Sequence, residues 1–482
     1  MKILFVASEA HPFIKTGGLG DVMGALPKVL ADCGDDVRVI IPKYKGIKKE
    51  FISEMKFLGS FGVNIGWRRQ HCGVFEIVKN NVTYYFVDNE YYFKRDGLYG
   101  YYDDGERFGY FDRAVLEVLR FVEWCPDVLH CNDWQCAMIP ALHKLEYQHH
   151  SDGFYAKMKT VISIHNLLFQ GNFDKNILPE LFGYTLEQYE NGTIELYGAA
   201  SFMKAGLIYA DKISTVSNTY AQEIKSEWYG EKLDGVLRER SDDVWGIVNG
   251  IDYDEYNPKT DSYIFKQYDI DSHIDKQLNK MELQKELGLP VNGDVPMISI
   301  ISRLTNQKGI DILINCIDRL FRQKVQLVVL GTGDYGYEEH FKSLKSRYND
   351  KVSINICFSN ALAHKIYAAS DMFLMPSAFE PCGLGQLIAL RYGTIPIVRE
   401  TGGLKDTIAP YNKYDITGNG FSFANYSSQE LINTIEEAIK TYKRKEEWTV
   451  LVENAMASEN SWEKSAKLYK TLYEMIVEKA IK

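Results

Sequence analysis

Short apolar runs rich in Val, Ile and Phe recur along the chain, and most of them stop at Gly, Asn, Asp or His. The first half carries KILFVASE, DVRVIIP, VTYYFVD, PDVLHCND, KTVISIHN, KISTVSN and VWGIVNG. The second half carries PMISIISRL, VQLVVLGTG, VSINICF, DMFLMPS and GTIPIVRETGG. Segments of helical period such as ALPKVLADCG and FDRAVLEVLRFVEW lie between many of them. Continuous apolar runs alternating with amphipathic helices predict parallel sheets covered on both faces. The runs fall into two groups, so the pattern predicts an α/β chain of two doubly wound domains. The join is expected at VWGIVNGIDYDEYNP, where a strand stops at Asn249-Gly250 and turn formers follow. The expected domains are residues 1–245 and 246–455, followed by a helix over 456–482 that Ser461 opens and caps ahead of Glu463. Ligands of such sheets bind beyond the carboxyl ends of the strands. Two domains of this kind facing one another are expected to share a cleft, and the chemistry is expected there.

Length and charge narrow the class. At 482 residues the chain exceeds one ordinary core, which agrees with two domains. A net charge of -10 argues against nucleic acid as the main partner. The eight cysteines form no CxxC pair or regular framework and read as reduced residues of a cytoplasmic protein. The apolar run of MKILFVASEA is too short for a signal peptide, and no run approaches a membrane span. The expectation is a cytoplasmic protein with no membrane partner.

Candidate chemistry clusters at the ends of the apolar runs. TGGL occurs at residues 16–19 and again at 401–404, each time with an Asp two positions later, Asp21 and Asp406. A Gly-Gly pair opening a helix lets backbone amides approach an anion, so the pair of loops reads as a phosphate or sugar cradle. Lys15 precedes the first loop and is suited to neutralising diphosphate charge. Arg303 and Lys308 follow the run PMISIIS, where two cations oppose the dipole of the helix they precede. That cost points to a developing diphosphate charge as their purpose. Glu380 lies in PSAFEPCGLGQL, in a loop fixed by Pro376 and Pro381 and ended by Gly383 and Gly385. Asp133, His165 and Asn166 close two further runs. No HExxH or paired Cys/His set predicts a metal, no GxSxG predicts a hydrolase, and no GxGxxG opens the first strand. Tyrosine supplies 32 residues, many within 84–111, and as a group they suit a long glucan better than a small metabolite.

KTGGLGDVMGALPKVLADCGDDVRVIIPKY, HCNDWQCAMIP, VISIHNLLFQG, SRLTNQKGID and PSAFEPCGLGQLIALRYGTIPIVRETGGLKDTI together closely resemble bacterial glycogen synthases and plant starch synthases. The resemblance runs over essentially the whole chain. It implies a GT-B architecture of two Rossmann-like domains, with the C-terminal helix crossing back to the first. It implies metal-independent, retaining transfer of glucose to the non-reducing 4-hydroxyl of an α-1,4-glucan. The bacterial likeness favours ADP-glucose as donor, with UDP-glucose the alternative. By motif position, Lys15, Gly17 and Gly18 would meet the donor's distal phosphate and glucose, and Arg303 and Lys308 would hold the diphosphate. Glu380 would bind and orient the transferred glucose, with Cys382, Gly383 and Leu384 presenting amides. His165 would lie against the glucose, and Asp21, Asp133, Asn166 and Asn249 would position sugar or acceptor.

Three positions depart from the pattern of relatives. Ile388 stands where related retaining transferases carry a second Glu, as is usual in the synthase branch, so Glu380 alone can act as the carboxylate. Gly385 replaces a Thr common in relatives and removes one side-chain contact to phosphate. Phe358 stands where relatives often carry Tyr, and either ring can stack on a nucleobase. With no nucleophile apparent, a front-face route is preferred, in which the leaving phosphate oxygen takes the acceptor proton. The rival readings are a transferase with a lipid or small-sugar acceptor, a non-catalytic glucan-binding scaffold and, more distantly, a dehydrogenase.

Overall fold

The computed structural model describes residues 1–478, so the last four residues of the expected C-terminal helix lie outside the described part. Contacts divide the chain into two units, Met1–Asn249 with the segment from Trp462 onward, and Gly250–Ser461. No described helix is long and apolar enough to cross a membrane.

The first unit is built on a nine-stranded sheet. Its spatial order is Val244–Gly246, Lys212–Thr215, Lys159–Ile164, Val128–Asn132, Lys2–Val6, Asp36–Pro42, Val82–Asp88, Arg68–Lys79 and Lys56–Ile65. The seven strands anticipated from the apolar runs pair in parallel. The last two form an antiparallel hairpin that the reading of purely parallel sheets missed. Lys56–Ile65 is an edge strand with few fully buried positions, and it reads neither as a continuous apolar run nor as strict alternation. A small three-stranded antiparallel sheet, Asn172–Phe173, Ala199–Ser201 and Glu195–Leu196, was likewise too short to register.

The order reverses at Lys2–Val6, which has Val128–Asn132 on one side and Asp36–Pro42 on the other. Loops leaving the strands at such a switch point separate and open a crevice. Glu9 and Asp133 stand there, and His165 follows the next strand along, in register through Asn132 and Ser163.

The C-terminal helix, Trp462–Glu478, belongs to this unit and packs against the helix Gly18–Asp32. It begins directly after Ser461 and is separate from the preceding helix Lys445–Met456, so 457–461 is not helical. Tyr473 is fully buried and its hydroxyl lies 2.6 Å from Nδ1 of His130.

The second unit carries a six-stranded, wholly parallel sheet. Its order is Val352–Asn355, Gln326–Leu330, Met297–Ile301, Met372–Met375, Ile395–Arg399 and Phe421–Phe423. Its switch point lies between Met297–Ile301 and Met372–Met375. The loops leaving those two strands carry Arg303, Lys308 and Glu380. The apolar residues of the strands and of flanking helices such as Ile310–Leu320 close into one large core, with a smaller cluster around Met297, Val328, Leu330 and Ile366.

The tyrosine-rich segment mostly serves the core of the first unit. Tyr84, Tyr85, Tyr92 and Tyr110 are buried, and among its tyrosines only Tyr91 and Tyr102 are largely exposed. Too few of these rings are accessible for them to act as a group on a long glucan.

Candidate active site

In the second unit two loops are laced together. Gln307 accepts at its carbonyl from the amide of Ala378 at 2.9 Å, and Gly309 lies against Pro376. Gly309 adopts φ +72°, and a Cβ there would stand 2.0 Å from the Pro376 carbonyl oxygen. This close approach sets Lys308 beside Glu380, with Nζ 2.5 Å from Oε2. Ser377 Oγ donates to the same oxygen at 3.1 Å. Among the described residues no group bonds Glu380 Oε1, although the residue is buried. Arg303 differs. It is exposed, and its guanidinium makes no hydrogen bond or ion pair with any described residue. One cation of the loop is thus committed to a carboxylate, and the other stays available to a ligand.

Sequence reasoning did not single out Arg399, at the end of the strand Ile395–Arg399. Its buried guanidinium donates to the carbonyls of Ser377, at 2.8 Å, and of Ala378, anchoring the loop ahead of Glu380. Its place at a strand end was the available signal.

The second TGGL loop supports the same turn. The Gly403 amide donates to the carbonyls of Glu380 and Pro381, at 3.2 and 3.1 Å. A Cβ on Gly402 or Gly403 would collide with the backbone of 380–382. These glycines make room for the Glu380 loop rather than forming an open cradle.

Downstream, Gln386 Nε2 donates to the carbonyls of Cys382 and Gly383 at 3.0 and 2.9 Å. A trans peptide points its C=O and the following N–H in opposite directions. The amides of Gly383 and Leu384 therefore turn away from Gln386. Gly385 packs on Phe373, whose ring carbons lie 2.9 and 3.0 Å from where a Cβ would be. Phe358 stands on the surface beyond the strand Val352–Asn355, 88% exposed.

In the first unit, Lys15 and Asp21 form an ion pair of 2.6 Å. The amides of Thr16, Gly17 and Gly20 donate to the buried carboxylate of Glu9. The reading of this loop as an open anion cradle is corrected accordingly: a side chain of the protein already occupies those three amides. Glu9 was missed although it directly follows the first apolar run.

Asp133 sits at φ 58°, ψ -178°, a conformation that side-chain-bearing residues rarely adopt. Its Oδ1 accepts from the His165 amide at 2.8 Å. Burial raises its pKa to about 7, against the lowering effect of the His165 and Asn166 amides. Burial lowers the pKa of His165 to about 4, so the ring is neutral at pH 7. His165 Nε2 lies 2.9 Å from Asn132 Oδ1. Asn132 Nδ2 donates to the carbonyls of Val6 and His130, at 3.0 and 3.2 Å, which fixes the amide orientation. Its oxygen is left to accept, so Nε2 of His165 carries the proton and Nδ1 is the acceptor. Asn132 adjoins Asp133 and was overlooked.

Asn166 Oδ1 accepts from the Leu168 amide at 3.1 Å and turns the loop locally. Asn249 is buried, and its Oδ1 has no hydrogen-bond partner among the described residues. Buried acceptors are rarely left so unless something else meets them.

Comparison with known proteins follows this division of the chain. The starch synthase catalytic domain matches residues 2–239, and the glycosyl transferases group 1 domain matches residues 283–455. The chain is 62% identical to a glycogen synthase of Clostridium perfringens, covering 99% of this chain and 98% of that protein. It is 49% identical to a glycogen synthase of Alkaliphilus metalliredigens, covering 99% and 100%. The catalytic domain of starch synthase IV from Arabidopsis thaliana, bound to ADP and acarbose, matches at TM-score 0.92 and 32% identity over 99% of both chains. Sucrose-phosphate synthase from Thermosynechococcus elongatus matches at TM-score 0.63 and 17% identity over 99% of both, and shares the fold alone.

Proposed function

The chain belongs to the family of bacterial glycogen synthases and plant starch synthases, a GT-B glucosyltransferase that extends an α-1,4-glucan, and we propose ADP-glucose as its donor. Glucose passes with retention to the non-reducing 4-hydroxyl of the glucan, and ADP is released. The observation that carries this reading is the exposed Arg303, unpaired among the described residues, on the same strand-end loop as Lys308 of the Lys308–Glu380 pair at the switch point of the second sheet. An available guanidinium and an ammonium suit a diphosphate in the donor and stabilise it more as it leaves, when its charge grows. ADP in the Arabidopsis starch synthase agrees with this nucleotide.

The remaining roles are assigned by motif position in the family. Glu380 offers Oε1 to hydroxyls of the transferred glucose while Lys308 and Ser377 hold Oε2. The outward amides of Gly383 and Leu384 meet phosphate oxygens, and Cys382 closes the turn. Phe358 stacks on the base. Lys15, beside Gly17 and Gly18, meets the distal phosphate, and Asp21 holds the ammonium in place. His165 presents neutral Nδ1 and its carbonyl to the sugar, and Asp133, Asn166 and Asn249 position sugar or acceptor hydroxyls.

With Oε1 of Glu380 assigned to glucose hydroxyls and Asp133 held by the His165 amide, neither carboxylate is given the role of nucleophile. This supports the front-face route. The C1–O bond to the β-phosphate breaks, the acceptor oxygen bonds C1 on the same face, and the acceptor proton passes to the leaving phosphate oxygen. Arg303 and Lys308 supply the charge stabilisation, so no metal is required. The eight free cysteines suit the reducing cytoplasm.

Glucose incorporation into glycogen, measured from ADP-glucose and from UDP-glucose with chelator present, tests the reading. Chelator-insensitive incorporation from ADP-glucose that Glu380→Ala abolishes is expected. Incorporation from UDP-glucose alone would overturn the donor assignment, and loss of activity in chelator would overturn metal independence.

A further inference from the structure

The helix Gly18–Asp32 opens without a capping side chain of its own, because its N-cap is Gly17. Such an end leaves N–H groups that need acceptors. Glu9, three residues past the first strand, supplies one to Gly20 and also takes the Thr16 and Gly17 amides just ahead of the helix. Its Oε1 accepts from Gly17 N at 3.2 Å and Gly20 N at 3.1 Å, and its Oε2 accepts from Thr16 N at 2.8 Å and Thr16 Oγ1 at 2.7 Å. Tyr99 O–H donates to Oε2 at 3.4 Å. Glu9 is buried at 2% exposure, and removing a carboxylate from water is costly unless it is well paired. Helix capping alone seldom needs a buried charge, since a local Ser or Asp does the same work.

What the arrangement adds is control of Lys15. Gly20 sits directly under that residue, and a Cβ on it would stand 2.4 Å from Lys15 Cβ. Lys15 is therefore pressed between the helix start and the loop that Glu9 gathers, with its ammonium steered to Asp21.

We propose that Glu9 is a positioning residue for donor binding: its carboxylate draws in the Thr16, Gly17 and Gly20 amides and so fixes the stance of Lys15. The proposal rests on the reading of Lys15 as a donor contact. It also assigns the loop's distinctive amides to an internal anion, leaving the ligand's phosphate to the lysine.

The test uses full-length enzyme and ADP-glucose kinetics on glycogen. Glu9→Gln retains shape but turns an NH2 toward donors that need an acceptor. It is expected to raise the KM for ADP-glucose about tenfold, the worth of one charge-assisted hydrogen bond, with kcat and the KM for glycogen near wild type. Lys15→Ala raises the same KM, and the double variant is no worse than Lys15→Ala alone. Should Glu9→Gln fail to fold, Thr16→Val removes the 2.7 Å hydroxyl contact with a smaller rise in KM, and Thr16→Ser restores it. A wild-type donor KM in Glu9→Gln, or in Thr16→Val where that variant stands in, overturns the proposal. So do additive effects of Glu9→Gln and Lys15→Ala. Failure of the underlying reading is distinguishable: Lys15→Ala would then keep the wild-type donor KM, and Glu9 would have nothing to position.

Discussion

Lys308 Nζ lies 2.5 Å from Glu380 Oε2 although 72 residues separate them in the chain, and both side chains are largely withdrawn from solvent. Removing one partner of such a pair leaves an uncompensated charge, whereas removing both does not. Lys308→Ala is therefore expected to cost up to about 3 kcal/mol of stability, toward the lower end for a buried pair because Lys308 keeps some exposure. The double variant Lys308→Ala/Glu380→Ala should recover part of that loss while remaining inactive. Urea unfolding of the two single variants and the double variant measures this. A double variant as unstable as the sum of the singles would refute the coupling.

Arg303 offers the opposite case, a loop cation with no partner among the described residues. Arg303→Ala is expected to change stability by less than about 0.5 kcal/mol and to lower kcat roughly 10²–10³-fold. Thermal unfolding and steady-state turnover on one preparation separate the two effects. Near-normal turnover would remove Arg303 from the diphosphate clamp.

Much of this organisation was legible in the chain. Every apolar run assigned to a strand is one, because parallel strands buried on both faces leave continuous Val, Ile and Leu stretches that survive as a signal. Lys56–Ile65 left no such trace because its pairing, rather than its composition, makes it a strand. Arg303, Lys308, Glu380, Asp133 and His165 were readable because polar residues ending apolar runs stand out. Glu9, Asn132 and Arg399 end runs too, but their work is to hold backbone and imidazole groups, and partners of that kind are not visible in a linear sequence. The two TGGL loops look alike as strings yet serve different neighbours, a carboxylate in one unit and the Glu380 turn in the other.

Gly385 has a physical reason beyond a missing phosphate contact. A side chain there meets the Phe373 ring at 2.9–3.0 Å and the Tyr367 hydroxyl at 3.3 Å. Gly385→Thr is expected to destabilise the protein by about 1–3 kcal/mol, as overpacking does, without lowering the KM for ADP-glucose. Adding Phe373→Leu should restore stability by making room. If Gly385→Thr alone is as stable as wild type, the ring is not what excludes a side chain.

Asp133 and His165 predict the pH response. As pH rises through about 7 the Asp133 carboxyl loses its proton and becomes the full acceptor its amide neighbours favour, so kcat/KM should rise with an inflection near 7. His165, with its pKa lowered to about 4, adds no inflection between pH 5 and 9. Asp133→Asn should erase the inflection and lower activity. Stability runs the other way. The native carboxyl holds its proton to higher pH than the unfolded one, so its contribution falls as pH rises from about 4 to 7 and is level above that. Urea unfolding at pH 5 and pH 8 of both proteins checks this: the wild type should lose more stability than Asp133→Asn between the two. An inflection near 7 that persists in Asp133→Asn would assign it to another group.

The C-terminal helix reaches these groups through buried hydrogen bonds. Tyr473 O–H meets His130 Nδ1 at 2.6 Å, and His130 Nε2 meets Ser163 Oγ at 2.5 Å. Burial holds His130 neutral, with its pKa lowered to about 3, so the ring relays hydrogen bonds without carrying charge. Asn132 follows His130 in one strand and His165 follows Ser163 in the next, and those two residues are hydrogen-bonded to each other. Removing the tyrosine hydroxyl leaves a buried ring nitrogen unsatisfied, worth about 1–3 kcal/mol, and frees the strand ends that aim His165. Tyr473→Phe is expected to lower kcat roughly tenfold, within the range that small misplacement of reacting groups costs, with the KM for ADP-glucose unchanged. Ser163→Ala should act alike, and the two together should be far from additive because they break one chain. Additive losses, or a Tyr473→Phe enzyme with full kcat, would mean that the helix only packs against the sheet and does not hold His165 in place.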